Sequence, residues 1–117
     1  EYDIMKLIWE NSEGISFSEL CEYAALKDDS VSPQTINAHL IRLIKKNFVK
    51  AEGTRRKRIY SPLIPRSEYD SLLTRRIVNE LFDGSLKNFV SAFTFTEGLT
   101  REETLALKTM LRRKGEE

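Results

Sequence analysis

The chain has 117 residues, 40% hydrophobic and 32% charged, the size of one compact domain or of a small domain with an extension; no stretch approaches the ~20 apolar residues of a membrane span, and no signal-peptide pattern opens it. Cys21 and His39 are each the only residue of their type, which excludes an intrachain disulfide scaffold and a Cys/His zinc site, so a cytoplasmic protein is expected. The net charge of +1 hides a segregation: residues 1–31 carry −6, residues 32–66 carry +8 with Glu52 their one acid, and residues 67–117 carry −1, a local footprint for a polyanion.

The chain opens at Glu1 without a methionine, and a few native residues are expected to precede it. Tyr2, Met5, Leu7, Ile8 and Trp9 form a helical apolar stripe that Asn11 and Gly14 end. Ile15 begins a short extended piece. Ser16-Phe17-Ser18-Glu19 has the form of a capping box and opens a second helix, with Leu20, Tyr23, Ala24 and Leu26 expected to face inward. After a polar turn from Lys27 to Val31, Ser32-Pro33 starts a third helix, serine as cap and proline at the first helical position. There Ile36, Leu40, Leu43 and Ile44 share one face, while Gln34, Ala38, Ile41, Arg42 and Lys45 lie opposite, with Asn37 at the margin. Asn47 stops this helix. Val49 to Gly53 and Arg58 to Leu63 read as two strands around a tip, Gly53 to Lys57, and Pro62 and Pro65 close the unit. Ser67 is expected to cap a fourth helix with Tyr69, Leu72, Leu73, Ile77, Leu81 and Phe82 as its apolar positions. Asp83-Gly84 is a turn. Ser85 starts a fifth helix with Leu86, Phe89, Val90 and Phe93 on one face. Thr100 to Glu103 is a second capping box, opening a sixth helix with Leu105, Leu107, Met110 and Leu111.

This order predicts a mainly α fold with a small β wing: a winged helix-turn-helix over 1–66, followed by a three-helix region over 67–117. A helix and a cationic hairpin side by side suit double-stranded DNA, the helix in the major groove and the wing on flanking phosphates or the minor groove. On the helix over 32–47, Ser32 stands at the N-terminus, which favours a phosphate. Gln34 and Asn37 can pair with adenine, and Arg42, Lys45 and Lys46 can meet guanine or phosphate. Thr35 adds a short polar group, and Ala38 and Ile41 can meet a thymine methyl. Arg55, Arg56, Lys57 and Arg58 supply the wing's charge over 53–60, and strand alternation is expected to place Arg56 and Arg58 on one side. The alternatives are a solvated polar face and a winged helix that assembles with protein. His39 is expected to be a partly buried structural histidine, and Cys21 to pack as a small hydrophobe. No Ser/His/Asp or Cys/His set exists and there is no phosphate-binding glycine loop, so no enzyme activity, cofactor or metal is expected. The last three helices carry more large apolar residues than they can bury alone. Leu72, Ile77, Leu81, Leu86, Phe89, Val90, Phe93, Leu107, Met110 and Leu111 are candidate dimerisation residues; folding back onto the winged helix is the alternative.

The stretches "EYDIMKLIWE", "SPQTINAHLIRLIKKNFV", "RIYSPLI", "FDGSLKNFVSAF" and "LTREETLALKTML" together resemble the penicillinase-repressor family of bacterial transcriptional repressors, the BlaI/MecI/CopY type. The resemblance implies a homodimer whose winged domains bind an operator palindrome and block transcription, in an antibiotic-resistance or metal-stress response. It places Thr35, Asn37, Ala38 and Arg42 at recognition-helix contacts, Arg55 to Arg58 on the wing, and the last three helices at the dimer interface. It also implies a sensor or protease partner that inactivates the repressor by cleavage at an Asn-Phe bond, which corresponds here to Ala92-Phe93. Asparagine is absent there. The C-terminal cysteine cluster of copper-responsive members is absent too.

Overall fold

The computed structural model describes residues 1–116. In chain order its elements are α1 (Tyr2–Glu10), β1 (Ile15–Ser16), α2 (Phe17–Lys27), α3 (Pro33–Lys45), β2 (Val49–Glu52), β3 (Ile59–Pro62), α4 (Arg66–Phe82), α5 (Leu86–Phe93) and α6 (Arg101–Glu116). They divide into two compact units, Glu1–Ser71 and the chain from Leu72 onward, so the boundary falls within α4.

The first unit is built as its local signals require. Ser16 accepts the Glu19 N–H while the Glu19 carboxylate takes the Ser16 N–H, the reciprocal capping box that starts α2. Ser32 accepts the Thr35 N–H at 3.2 Å, and Pro33 occupies the first turn of α3. At the other end Asn47 adopts φ 63°. Its N–H donates to Ile44, and the Phe48 N–H donates to Leu43 at 2.9 Å. This is a Schellman closure that turns α3 directly into β2.

β3 pairs with β1 and β2 to give an antiparallel sheet of order β1-β3-β2, with Ile15 opposite Tyr60 and Ala51 opposite the same tyrosine. Met5, Ile8, Ile15, Leu20, Ile36, Leu40, Leu43 and Val49 are fully buried. They join one face each of α1, α2 and α3 to the sheet, which holds α3's opposite face at the surface. The start of α4 is fastened to this core. The Trp9 Nε1–H donates to the Ile64 carbonyl at 3.0 Å, and the Tyr69 ring packs edge-on to Trp9 and Phe48 at 5.3 and 5.5 Å. Arg66 donates to the Tyr2 hydroxyl and lies over the Tyr2 and Trp9 rings.

Four local expectations need correction. α4 begins at Arg66, because the Pro65 carbonyl accepts the Tyr69 N–H; Ser67 lies inside the first turn rather than capping it. Tyr23 and Leu26 do not face the core, being 37% and 81% exposed. Leu20 and Ala24, four apart, use up α2's inner face, and Leu26 falls about 200° round the helix from Ala24. With Leu7, Glu10, Asn11 and Lys27 these two residues line an open groove of ≈ 390 Å³. The strands also stop short of the tip, β2 at Glu52 and β3 beginning at Ile59. Arg56 and Arg58 therefore belong to the turn, where strand alternation does not apply.

In the second unit Asp83 (φ 49°) and Gly84 (φ 79°) make the expected turn, Ser85 caps α5, and Thr100 with Glu103 forms the expected capping box at α6. Phe89 lies between Phe82 and Phe93, centroids 5.7 and 6.5 Å away. Beyond Leu72, Val78 is the one apolar side chain among the described residues that is buried. Leu72, Ile77, Leu81, Leu86, Val90, Phe93, Leu107, Met110 and Leu111 are all exposed.

Candidate nucleic-acid interface

The sheet and the α1–α2 pair leave one face of α3 open. Gln34, Thr35, Asn37, Arg42, Lys45 and Lys46 are exposed, Ala38 is half-buried, and Ile41 is 57% exposed. Ser32 is half-buried, and its hydroxyl is engaged as the helix cap and with the Thr35 hydroxyl at 3.0 Å. The side chains brought to this face are thus two amides, the Thr35 hydroxyl, three cations and two apolar groups, Ala38 and Ile41. That inventory matches what base edges and phosphates require in the major groove.

The wing is a six-residue tip, Gly53 to Arg58, between β2 and β3. Gly53 has φ +96°, and a Cβ there would run into the Lys57 carbonyl oxygen, so glycine is required where the chain leaves β2. Across the tip the Lys57 N–H donates to the Thr54 carbonyl at 3.1 Å and lies 3.3 Å from the Thr54 hydroxyl. This closes a turn that spreads Arg55, Arg56, Lys57 and Arg58 into solvent. All four are exposed, and no ion pair among the described residues engages them or Lys45. Lys50, just before the tip, pairs with Glu52. Unpaired cations at the surface leave their whole charge for an incoming polyanion.

The other α3 cations have partners that sequence reading missed. Glu1, at the start of α1, reaches Arg42 and Lys46, each at 3.5 Å. Burial pushes the Glu1 carboxyl up, but Lys46 and Arg42 hold it below its usual value. His39 is half-buried, and its Nδ1 lies 2.6 Å from Arg42 Nη2. The i, i+3 spacing of His39 and Arg42 was the only local signal for this group. Cys21 is half-buried, and burial raises its thiol pKa. The described residues contain no cluster of His, Cys, Asp and Glu able to hold a metal, and no helix long and apolar enough to cross a membrane.

Comparison with known proteins adds independent findings. The family model described as penicillinase repressor matches residues 1–113. The penicillinase repressor of Bacillus licheniformis is 32% identical over 111 residues, covering 95% of this chain and 85% of that protein. The methicillin resistance regulatory protein MecI of Staphylococcus aureus (strain N315) is 25% identical over 114 residues, covering 97% and 91%. Among solved structures, the DNA-binding domain of the repressor BlaI superposes with a TM-score of 0.51 at 34% identity, covering 57% of this chain and 79% of that one.

Proposed function

The chain belongs to the penicillinase repressor family, a family of repressors and not of enzymes, and from that premise we propose that it is a homodimeric repressor of transcription that binds a palindromic operator. The observation that carries this reading is the pairing of an open polar face on α3 with a wing whose four cations have no ion-pair partner among the described residues. In it α3 reads bases: Gln34 and Asn37 address adenine, Arg42 guanine, Ala38 and Ile41 thymine methyls. Thr35 and the capped N-terminus at Ser32 take a phosphate. Arg55 to Arg58, with Lys45 and Lys46, supply the sequence-independent term.

Dimerisation is supported by the second unit, which leaves nearly all of its large apolar side chains exposed. A second copy offers the same face, and a two-fold pair of winged domains suits two half-sites. Linking two domains raises the effective concentration at the second half-site, worth ~10²–10⁴ in affinity. Anything that separates α4–α6 of one copy from the other would therefore release DNA without touching α3. The Ala92-Phe93 bond closes α5 with both residues exposed. A cut there by a partner protease would detach α6 and serve as such a switch. The names of the relatives favour genes of antibiotic resistance as the targets.

Selection of bound sequences from random duplex DNA tests the proposal. An inverted repeat is expected, bound with an affinity that falls ~10³–10⁵-fold between 50 and 200 mM salt for ~6–10 phosphate contacts. No enriched sequence together with a flat salt response would overturn it in favour of a protein-assembly module.

A further inference from the structure

The Arg42 guanidinium is held at two of its nitrogens. Its Nη2 lies 2.6 Å from His39 Nδ1, and its Nε lies 3.5 Å from the Glu1 carboxylate, which also meets Lys46 Nζ at 3.5 Å. Arginine has donors only, so His39 Nδ1 must be the acceptor. The imidazole is then neutral, with its proton on Nε2. This grip uses one Nη2 proton and the Nε edge. Both Nη1 protons and one Nη2 proton remain, and these can meet guanine O6 and N7.

We propose that His39 and Glu1 are positioning residues that present this outer edge of Arg42 to a base, and that protonation of His39 releases it. The inference rests on the reading of α3 as a DNA-recognition helix and assigns that helix a specificity device. Holding a long side chain in its bound rotamer spares the ordering cost at binding. An imidazolium cannot accept a hydrogen bond, and it places a second positive charge against the guanidinium.

The charged groups acting on His39 among the described residues are Arg42 on its own helix and the carboxylate of Glu1, just before α1. Burial first, and then Arg42, lower the His39 pKa, with the Glu1 carboxylate opposing. The neutral, Arg42-holding form therefore persists at neutral pH, and the release falls on the acid side of the ordinary histidine range. The same protonation adds positive charge beside a polyanion and strengthens sequence-independent binding. Acidification thus moves discrimination and general affinity in opposite directions, which a purely structural histidine does not do.

The test measures affinity for the selected duplex and for a scrambled duplex, and follows their ratio. Between about pH 8 and about pH 5.5 the wild-type ratio is expected to fall about fivefold or more while affinity for scrambled DNA rises. His39→Asn places an amide oxygen where Nδ1 was and does not titrate. It is expected to keep the ratio within about threefold of wild type and to make it independent of pH. His39→Leu removes the acceptor and should lower the ratio about fivefold or more at every pH, and Glu1→Gln should move it the same way. Helix content and melting of each variant establish that it folds. A His39→Leu protein with the wild-type ratio, or a wild-type ratio flat in pH while scrambled affinity rises, overturns the positioning role. Loss of discrimination in Arg42→Ala with none in His39→Leu defeats positioning alone, whereas failure to enrich any sequence defeats the recognition-helix reading itself.

Discussion

Phe93 is the sharpest probe of the proposed pairing through the second unit. It is 67% exposed at the end of α5, so most of its apolar surface is still in water in the single chain. Full burial of a phenylalanine contributes ~1.5–3 kcal/mol, which leaves each Phe93 ~1–2 kcal/mol to gain from a partner. A two-fold interface uses the same residue from both copies. Phe93→Ala should therefore weaken the dimer by ~2–4 kcal/mol, a rise in Kd of ~30- to 1,000-fold. Phe93→Asp should do more, because it adds an unpaired charge to the interface. Phe89 is a poorer probe: it is already half-buried between Phe82 and Phe93, so its replacement mixes interface loss with damage to the unit's own packing. Sedimentation equilibrium over a concentration series reads the Kd, and far-UV circular dichroism shows whether the helices persist. Operator affinity should drop in parallel, toward that of a single half-site. A Phe93→Asp protein that remains dimeric at wild-type concentration dependence would refute the reasoning, and the exposed apolar face of α4–α6 would then need another occupant.

Replacing Arg56 or Arg58 by Ala removes that cation from both copies, so it should weaken binding to all duplexes alike and reduce the salt slope by ~2 per dimer, whereas Asn37→Ala should lose ~1–3 kcal/mol of discrimination at one base pair of each half-site; titrations at several salt concentrations separate the two patterns. Ser32→Ala removes the acceptor of the Thr35 N–H and should cost ~1 kcal/mol of stability, seen as a Tm lower by ~4–8 °C for the isolated first unit. Gly53→Ala forces a Cβ into a positive-φ turn against the Lys57 carbonyl and should cost ~1–2 kcal/mol; it should also weaken binding without altering base preference, in a paired melting and gel-shift measurement.

Much of this fold was legible because its signals are local. Ser16/Glu19, Ser32/Pro33, Ser85 and Thr100/Glu103 each start a helix through bonds spanning three residues, and the Ile36-Leu40-Leu43 face follows from helical periodicity alone. The cations of α3 and the wing were visible for the same reason: a charge run in solvent needs no partner to be recognised. What lay outside sequence reading depends on contacts between distant residues. Glu1 meets Lys46 across 45 positions, Trp9 meets the Ile64 carbonyl across 55, and Arg66 meets the Tyr2 hydroxyl across 64. No periodicity encodes such pairs. Tyr23 and Leu26 read as core by residue type, yet only the packing of α1 and the sheet against Leu20 and Ala24 decided which face of α2 met the interior. Arg42 shows the division most clearly. Its exposure on α3 follows from the helical period, but the orientation of its guanidinium was decided by tertiary structure, because the carboxylate near its Nε belongs to Glu1, just before α1, 41 positions away.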